Sequence, residues 1–287
     1  MSEGKTILVT GGAGFIGSHL CRRLVADGHH VISLDNYFTG SRDNQVEGVE
    51  YREGHTKDIE KLVPENVDII FHLGEYARVE QSLEEPDIVW DLNVRGTFCV
   101  LEYWRKHKPK LVYAGSSTKF GDGGLARVAT PYAWTKAANT ELVKNYGTWY
   151  SLPFAITYFY NVYGPGERAG KYGTVIEIFR QRFIGGQPLS VNAPGTQKRN
   201  FTHIEDIIDG LILVAASGDG DEFGLGDERE YSILEIAQMF GGKVEMLPEK
   251  AGNRMQSAID TSKAKGLGWS VKHSVADYIR EIVAAKA

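Results

Sequence analysis

Cysteine is nearly absent from this chain. Cys21 and Cys99 are the only two in 287 residues, and neither stands in a Cys-x-x-Cys or Cys/His spacing. A disulfide framework and a zinc or iron site therefore have no support, and both thiols are expected to be reduced residues within helices. Long apolar runs are missing as well. The stretch Ile207 to Ala216 is interrupted by Asp209 and is too short to span a bilayer, and Met1-Ser2-Glu3-Gly4-Lys5 leads into a strand with no apolar signal segment. A cytoplasmic protein without a membrane partner is the expectation. Basic runs are missing too, and the formal charge is −5, so a nucleic-acid partner is not expected. What is present, 42% hydrophobic and 24% charged residues, suits one large domain or a domain plus a lobe.

The glycines are where the chain is rich in meaning. Ile7, Leu8 and Val9 suit a buried parallel strand, and Gly11, Gly14 and Gly17 follow at three-residue intervals as the pattern turns helical. In a dinucleotide site the first glycine permits the tight turn and the second lets the backbone approach a pyrophosphate. The third brings the helix close to the strand, with the helix N-terminus facing the anion. A glycine-rich hairpin would look similar in isolation, but here the context fits on both sides. The next strand, Val31 to Leu34, ends in Asp35-Asn36, about 20 residues past the glycines, where an acid would bind the adenosine ribose hydroxyls. An acid there repels a 2′-phosphate, so the expected cofactor is NAD, although Arg42 lies nearby.

Strand-like and helix-like segments alternate over the first two-thirds of the chain, the pattern of a doubly wound parallel α/β (Rossmann) sheet. Strands are expected at 6–10, 31–35, 49–53, 68–73, 110–115 and 154–159, with helices near 15–27, 57–63, 86–107 and 131–150. Residues 1–165 with about 201–218 would form the dinucleotide-binding domain. About 166–200 with 219–287 would form a smaller C-terminal lobe, with the cleft between them.

Tyr132 and Lys136 stand four apart, on one face of a helix. A free tyrosine titrates near ~10, so its use as a base near neutrality needs about 4 kcal/mol of preferential phenolate stabilisation. Lys136 and the positive nicotinamide ring of NAD⁺ can supply it. Tyr-x-x-x-Lys alone is commonly a surface pair. It gains weight from Ser116, at the carboxyl end of the strand through Leu111 to Ala114, where it could hold the reacting oxygen against Tyr132. A serine-rich turn would explain Ser116-Ser117-Thr118 but not the three groups together.

With these residues the chain resembles the extended short-chain dehydrogenases/reductases, specifically the NAD-dependent epimerase/dehydratase family of nucleotide-sugar enzymes. The likeness rests on Thr10-Gly11-Gly12-Ala13-Gly14-Phe15-Ile16-Gly17, Tyr132 with Lys136, His72-Leu73-Gly74 and Asn93-Val94-Arg95-Gly96-Thr97. It extends through Asn161-Val162-Tyr163-Gly164-Pro165, Arg199-Asn200-Phe201-Thr202-His203-Ile204-Glu205-Asp206, Asp260-Thr261-Ser262-Lys263-Ala264 and Leu267-Gly268-Trp269. The resemblance implies a catalytic set of Ser116, Tyr132 and Lys136. It implies Phe15, Ile16, Asn36, Leu73, Gly74, Asn93 and Tyr158 on the cofactor side and Asp58 and Ile59 beside the adenine. It implies Ser116, Ser117 and Thr118 at the sugar, and Asn161, Arg199 and Lys250 or Arg254 at the diphosphate. Asn161 could equally be a turn residue and Arg199 a solvated charge. His72 and His203 are expected to be hydrogen-bonded structural histidines.

The resemblance also implies a shared first step. Tyr132 takes the C4 hydroxyl proton of the sugar while hydride passes to NAD⁺, giving a 4-keto sugar. A 4,6-dehydratase of this family carries an Asp-Glu pair directly after the position of Ser116, whereas this chain has Ser117 and Thr118. A 4-epimerase needs no such pair and is the expected activity, with a nucleotide-sugar partner, most simply a UDP-sugar. Counting back from Asp260, Ser257 occupies the position that gates pocket size, so UDP-N-acetylglucosamine/galactosamine would be accepted with or before UDP-glucose/galactose. The alternatives are a 4,6-dehydratase, another 4-keto-sugar enzyme, or a non-catalytic NAD-binding regulator. Three departures border the sugar pocket: a short Gly121 to Tyr132 segment, Lys119-Phe120, and the charges in Glu75-Tyr76-Ala77-Arg78. Apolar faces on helices 86–107 and 131–150, including Val89, Leu92, Val100, Leu101, Trp104, Leu142, Val143 and Tyr146, suit either a homodimer interface or the core.

Overall fold

Unbroken aliphatic runs make strands where both faces are covered. In the computed structural model, which describes residues 4–120, 126–249 and 259–286, six strands are β1 (Thr6–Thr10), β2 (His30–Asp35), β3 (Val49–Glu53), β4 (Ile69–His72), β5 (Lys110–Ser116) and β6 (Phe154–Phe159), and all but the polar edge strand β3 carry such runs. A seventh strand, Gly220–Leu225, pairs with β6. The sheet is parallel throughout, in the order Gly220–Leu225, β6, β5, β4, β1, β2, β3. Strand order reverses between β1 and β4, which opens a crevice at their carboxyl ends.

Helices cover both faces. On one, Val100, Leu101, Trp104, Val143 and Tyr146 pack with Leu8, Ile70 and Leu111. On the other, Leu20, Cys21 and Leu24 of α1 (Phe15–Ala26) meet Ile204, Ile207 and Leu211 of the Ile204–Ser217 helix, together with Trp269. The architecture is the expected doubly wound Rossmann sheet. The lobe has its own core, in which Tyr163, Phe179, Phe201, Phe240, Val275 and Ile279 are buried.

Two expectations shift. The lobe does not begin at 219, because Phe223 and Leu225 bury into the central sheet and Ala264 packs beside Trp269 there. The expected 86–107 helix is a continuous helical run that widens into π-type turns at Trp90–Arg95, and such bulges gather at functional sites. The apolar residues expected to serve either a dimer or the core serve the core. Val89, Val100, Leu101, Trp104 and Val143 are fully buried. Different side chains on these helices face outward: Trp90, Phe98, Trp134, Trp149 and Tyr150. No helix among the described residues is long and apolar enough to cross a membrane.

Candidate active site

The glycine turn is built as its spacing requires. Gly11 has φ +77°, and a Cβ there would lie 2.9 Å from the Gly74 Cα, so any side chain at 11 is both strained and obstructed. A Cβ on Gly17 would come within 2.1 Å of the Gly11 carbonyl oxygen. The third glycine thus seats α1 on the turn itself. Gly14 caps α1 without a side-chain hydrogen bond, leaving first-turn N–H groups for an anion. Asp35 is buried and ties the turn to β2, its two oxygens accepting Ala13 N–H at 2.9 Å and Tyr37 N–H at 2.8 Å. Burial pushes its carboxyl above the ordinary value. Arg42 is held by Glu53 at 2.5 Å and by the Tyr37 ring.

Gly11, Gly14 to Gly17, Asp35, Asn36, Leu73 and Gly74 line one cleft of about 1520 Å³, which continues past Ser116, Tyr132 and Lys136. A cradle closed to any Cβ, a helix N-terminus and an acid at the end of β2 fit a dinucleotide. Four other residues expected on the cofactor side stand at different depths. Thr56 and Gly54 line the cleft beyond β3, whereas Asp58 is exposed and Ile59 sits in the core, because the chain makes a tight turn at Thr56–Asp58. Tyr158 is fully buried, and its hydroxyl donates to Asp221 at 2.6 Å, away from the cleft. Asn93 is also fully buried and reaches the cleft only through the loop after β4. Its amide accepts from Tyr76 N–H at 2.6 Å and donates to Thr135 Oγ1 at 3.0 Å.

Ser116 ends β5, and Tyr132 stands in the first turn of the Pro131–Tyr150 helix, which Thr130 caps by accepting Ala133 N–H. These two elements bring the Tyr132 hydroxyl to Ser116 Oγ at 3.2 Å, and Thr118 Oγ1 lies 2.8 Å from the same oxygen. Lys136 lines the same cleft. Its ammonium donates to Glu75 and to the Ala114 carbonyl and lies 4.5 Å from the Tyr113 ring centre. Glu75 is the residue that sequence reasoning did not assign, although its charge in the loop after β4 had stood out. Its side chain is 3% exposed. It also accepts from Thr97 Oγ1 at 2.8 Å, Asn139 Nδ2 at 2.7 Å and the Tyr113 hydroxyl at 3.2 Å. Burial alone would raise its carboxyl, but Lys136 and these donors hold it below the ordinary value.

Because an ionised Glu75 can only accept, the hydroxyls behind it are ordered. Thr97 donates to Glu75, His72 donates from Nε2 to Thr97 at 2.9 Å, and Thr10 donates to His72 Nδ1 at 2.7 Å. Burial pushes the imidazole down to about 4, so His72 is a neutral strut. His203 is structural too, its Nδ1 accepting Glu205 N–H at the start of the Ile204–Ser217 helix. His203 and Glu205 lie with His273 close enough to suit a metal ion, but His273 is already bonded to Asp206 at 2.9 Å and Glu205 at 3.2 Å.

On the lobe side, Ser117, Thr118, Asn161 and Arg199 line the cleft. Asn161 adopts φ +35° and donates to the Asn200 carbonyl at 2.7 Å. Lys250, Arg254 and Ser257 lie outside the described residues. Glu167 also lines this region, 8% exposed, its Oε1 accepting Thr174 N–H at 3.2 Å and its Oε2 without a side-chain partner beyond Thr174. Burial pushes its carboxyl up to about 7. The folded chain therefore keeps a proton here that the unfolded chain releases near its ordinary carboxyl value, and Glu167 subtracts stability as pH rises through that window. Glu167→Gln is expected to gain about 3 kcal/mol over the native chain between pH 4.5 and 8. Urea unfolding at both pH values checks this, and a pH-independent difference would contradict it.

Comparison with known proteins adds to this geometry. The NAD dependent epimerase/dehydratase family matches residues 7–226. A putative UDP-glucose 4-epimerase of Methanocaldococcus jannaschii is 29% identical, over 96% of this chain and 97% of that protein. A UDP-N-acetyl-alpha-D-glucosaminuronate decarboxylase of Bacillus cytotoxicus is 30% identical, over 82% of this chain and 78% of its own length. The crystal structure of Thermus thermophilus UDP-glucose 4-epimerase in complex with NAD superposes with a TM-score of 0.88 at 27% identity, covering 98% of each chain. The match spans the glycine turn, the Ser116–Tyr132 pair and most of the sheet that joins them. This chain belongs to the NAD-dependent epimerase/dehydratase family.

Proposed function

We propose that this protein is a nucleotide-sugar 4-epimerase working through a transient 4-keto sugar. One observation carries the reading. At the carboxyl end of β5 the Tyr132 hydroxyl meets Ser116, and the two following positions, Ser117 and Thr118, offer hydroxyls rather than carboxyls. Tyr132 takes the proton of the C4 hydroxyl and later returns it, and Ser116 holds that oxygen by a hydrogen bond. The glycine turn would hold the pyrophosphate of NAD, Asp35 its adenosine ribose and Lys136 its nicotinamide ribose. NAD, when bound, supplies hydride acceptance and return at C4. Dehydration would further require groups to remove the C5 proton and protonate the departing C6 hydroxyl, and neither Ser117 nor Thr118 serves as that carboxyl pair.

A UDP-sugar is the substrate this reading favours, in keeping with the names of the relatives. Ser257, small at the pocket-gating position, supports acceptance of UDP-N-acetylglucosamine/galactosamine together with UDP-glucose/galactose. The decarboxylase relative shares the nucleotide-sugar chemistry and makes a different outcome worth separating. Incubation of the NAD-loaded protein with UDP-, GDP-, CDP- and dTDP-sugars, followed by NMR, is expected to yield C4 epimers of UDP-sugars. A 4-keto-6-deoxy sugar, a pentose or unchanged substrate throughout the panel would reject the reading.

A homodimer is part of the same proposal. Trp90 and Trp134 stack at 5.8 Å on the outer surface, about half exposed, with Phe98, Trp149 and Tyr150 also outward on these helices. An exposed aromatic patch of this kind marks an interaction surface. Light scattering at micromolar concentration is expected to give twice 31.8 kDa, falling to the monomer mass in Phe98→Glu/Trp134→Glu. A monomer mass for the native chain would reject the dimer.

A further inference from the structure

Arg78 is a partly buried cation with no ion pair among the described residues. It follows β4 in the loop that lines the cleft, and burial pulls its guanidinium below the ordinary value. Nε donates to the Tyr172 carbonyl at 2.6 Å and Nη1 to the Ala77 carbonyl at 2.8 Å, both neutral acceptors, and no carboxylate among the described residues lies within ion-pair distance. A charge removed from water in this way is costly unless something pairs it. The groups within its electrostatic reach include Tyr132 and Glu167, which puts it on the sugar side of the cleft.

The surroundings are built and underused. Glu167 Oε2 and Thr174 Oγ1 are buried with no side-chain partner beyond one another, and both residues line the same cleft. The loop is fixed to the segment carrying them. Gln81 donates to the Lys171 carbonyl at 2.7 Å, and Glu85 accepts from Tyr76 at 2.8 Å and from Tyr172 at 3.1 Å.

We propose that Arg78, with Glu167 and Thr174 beside it, forms a subsite for a carboxylate carried by the sugar, so that the preferred substrate is a nucleotide hexuronate. The inference rests on the nucleotide-sugar reading above and specifies it. A planar carboxylate accepts two parallel N–H bonds from a guanidinium, a match that a hydroxymethyl group lacks. The Thr174 hydroxyl can donate to the same anion. So can Glu167 in its protonated form, which burial and an approaching negative charge both favour. A neutral hexose would leave the cation unpaired.

Calorimetric titration of the NAD-loaded Tyr132→Phe protein with UDP, UDP-glucose and UDP-glucuronate tests this without turnover. The expected result is UDP-glucuronate binding at least ~30-fold more tightly than UDP-glucose, with that margin lost in Arg78→Gln and partly kept in Arg78→Lys. UDP affinity should change less than about threefold, which also reports that each variant is folded. Equal affinity for the two sugars, a preference that persists in Arg78→Gln, or an equal loss of UDP affinity, which would make Arg78 a phosphate ligand, each overturns the subsite. If UDP and both sugars all fail to bind the parent protein, the nucleotide-sugar reading itself falls.

Discussion

Tyr132→Phe is expected to lower turnover on the best nucleotide sugar by about 10²–10⁴-fold, the usual worth of a positioned acid–base group. Binding of that sugar should stay within about threefold, since the ring and its place in the helix are retained and only the hydroxyl donating to Ser116 at 3.2 Å is removed. Steady-state rates with calorimetric affinities separate the two quantities. A variant as active as the native chain would remove Tyr132 from the reaction, and with it the ketone-forming step. A variant that loses affinity and rate in equal measure would recast the tyrosine as a binding group.

Glu75→Ala carries the second large effect, on stability. The carboxylate pairs with Lys136 while both side chains are nearly closed to solvent, 3% and 5% exposed, and it collects hydrogen bonds from Thr97, Tyr113 and Asn139. Removing one partner of such a pair strands the other's charge and costs about 3–5 kcal/mol. Replacing both, as in Glu75→Leu/Lys136→Met, should recover much of that loss. Urea unfolding of the single and double variants forms the required cycle. If Glu75→Ala were within about 1 kcal/mol of the native chain, Lys136 would be adequately solvated without its partner and the buried network would not be a structural unit.

What could be read from the chain was local. Gly11, Gly14, Gly17 and Asp35 act within a few residues of one another or across one strand pair, so spacing alone located them. Strand positions followed for the same reason, since aliphatic runs such as Ile7 to Val9 leave little choice. Asp58 and Ile59 follow a tight turn at Thr56–Asp58, which spacing did not reveal and which brings Thr56 to the cleft. The direction of Tyr158 was not legible because residues 155–158 are buried on both faces of β6, so alternation does not reveal which way a side chain points. The Glu75–Lys136 pair joins residues sixty-one apart. Its one trace in the sequence was the charge of Glu75 in the segment Glu75-Tyr76-Ala77-Arg78 after β4. The apolar helix stripes were ambiguous in principle, and only burial separated the core residues Val100 and Trp104 from the outward Phe98 and Trp134.

The central claim is that what leaves C4 of the sugar returns to C4 of the same sugar. Incubating the protein with a UDP-hexose bearing deuterium at C4 and following it by NMR in ordinary water tests that most directly. The expected product is the C4 epimer with the deuterium still at C4 and no net accumulation of NADH. Loss of the deuterium to solvent, a product altered at C5 or C6, or no conversion of any C4-labelled sugar would contradict it.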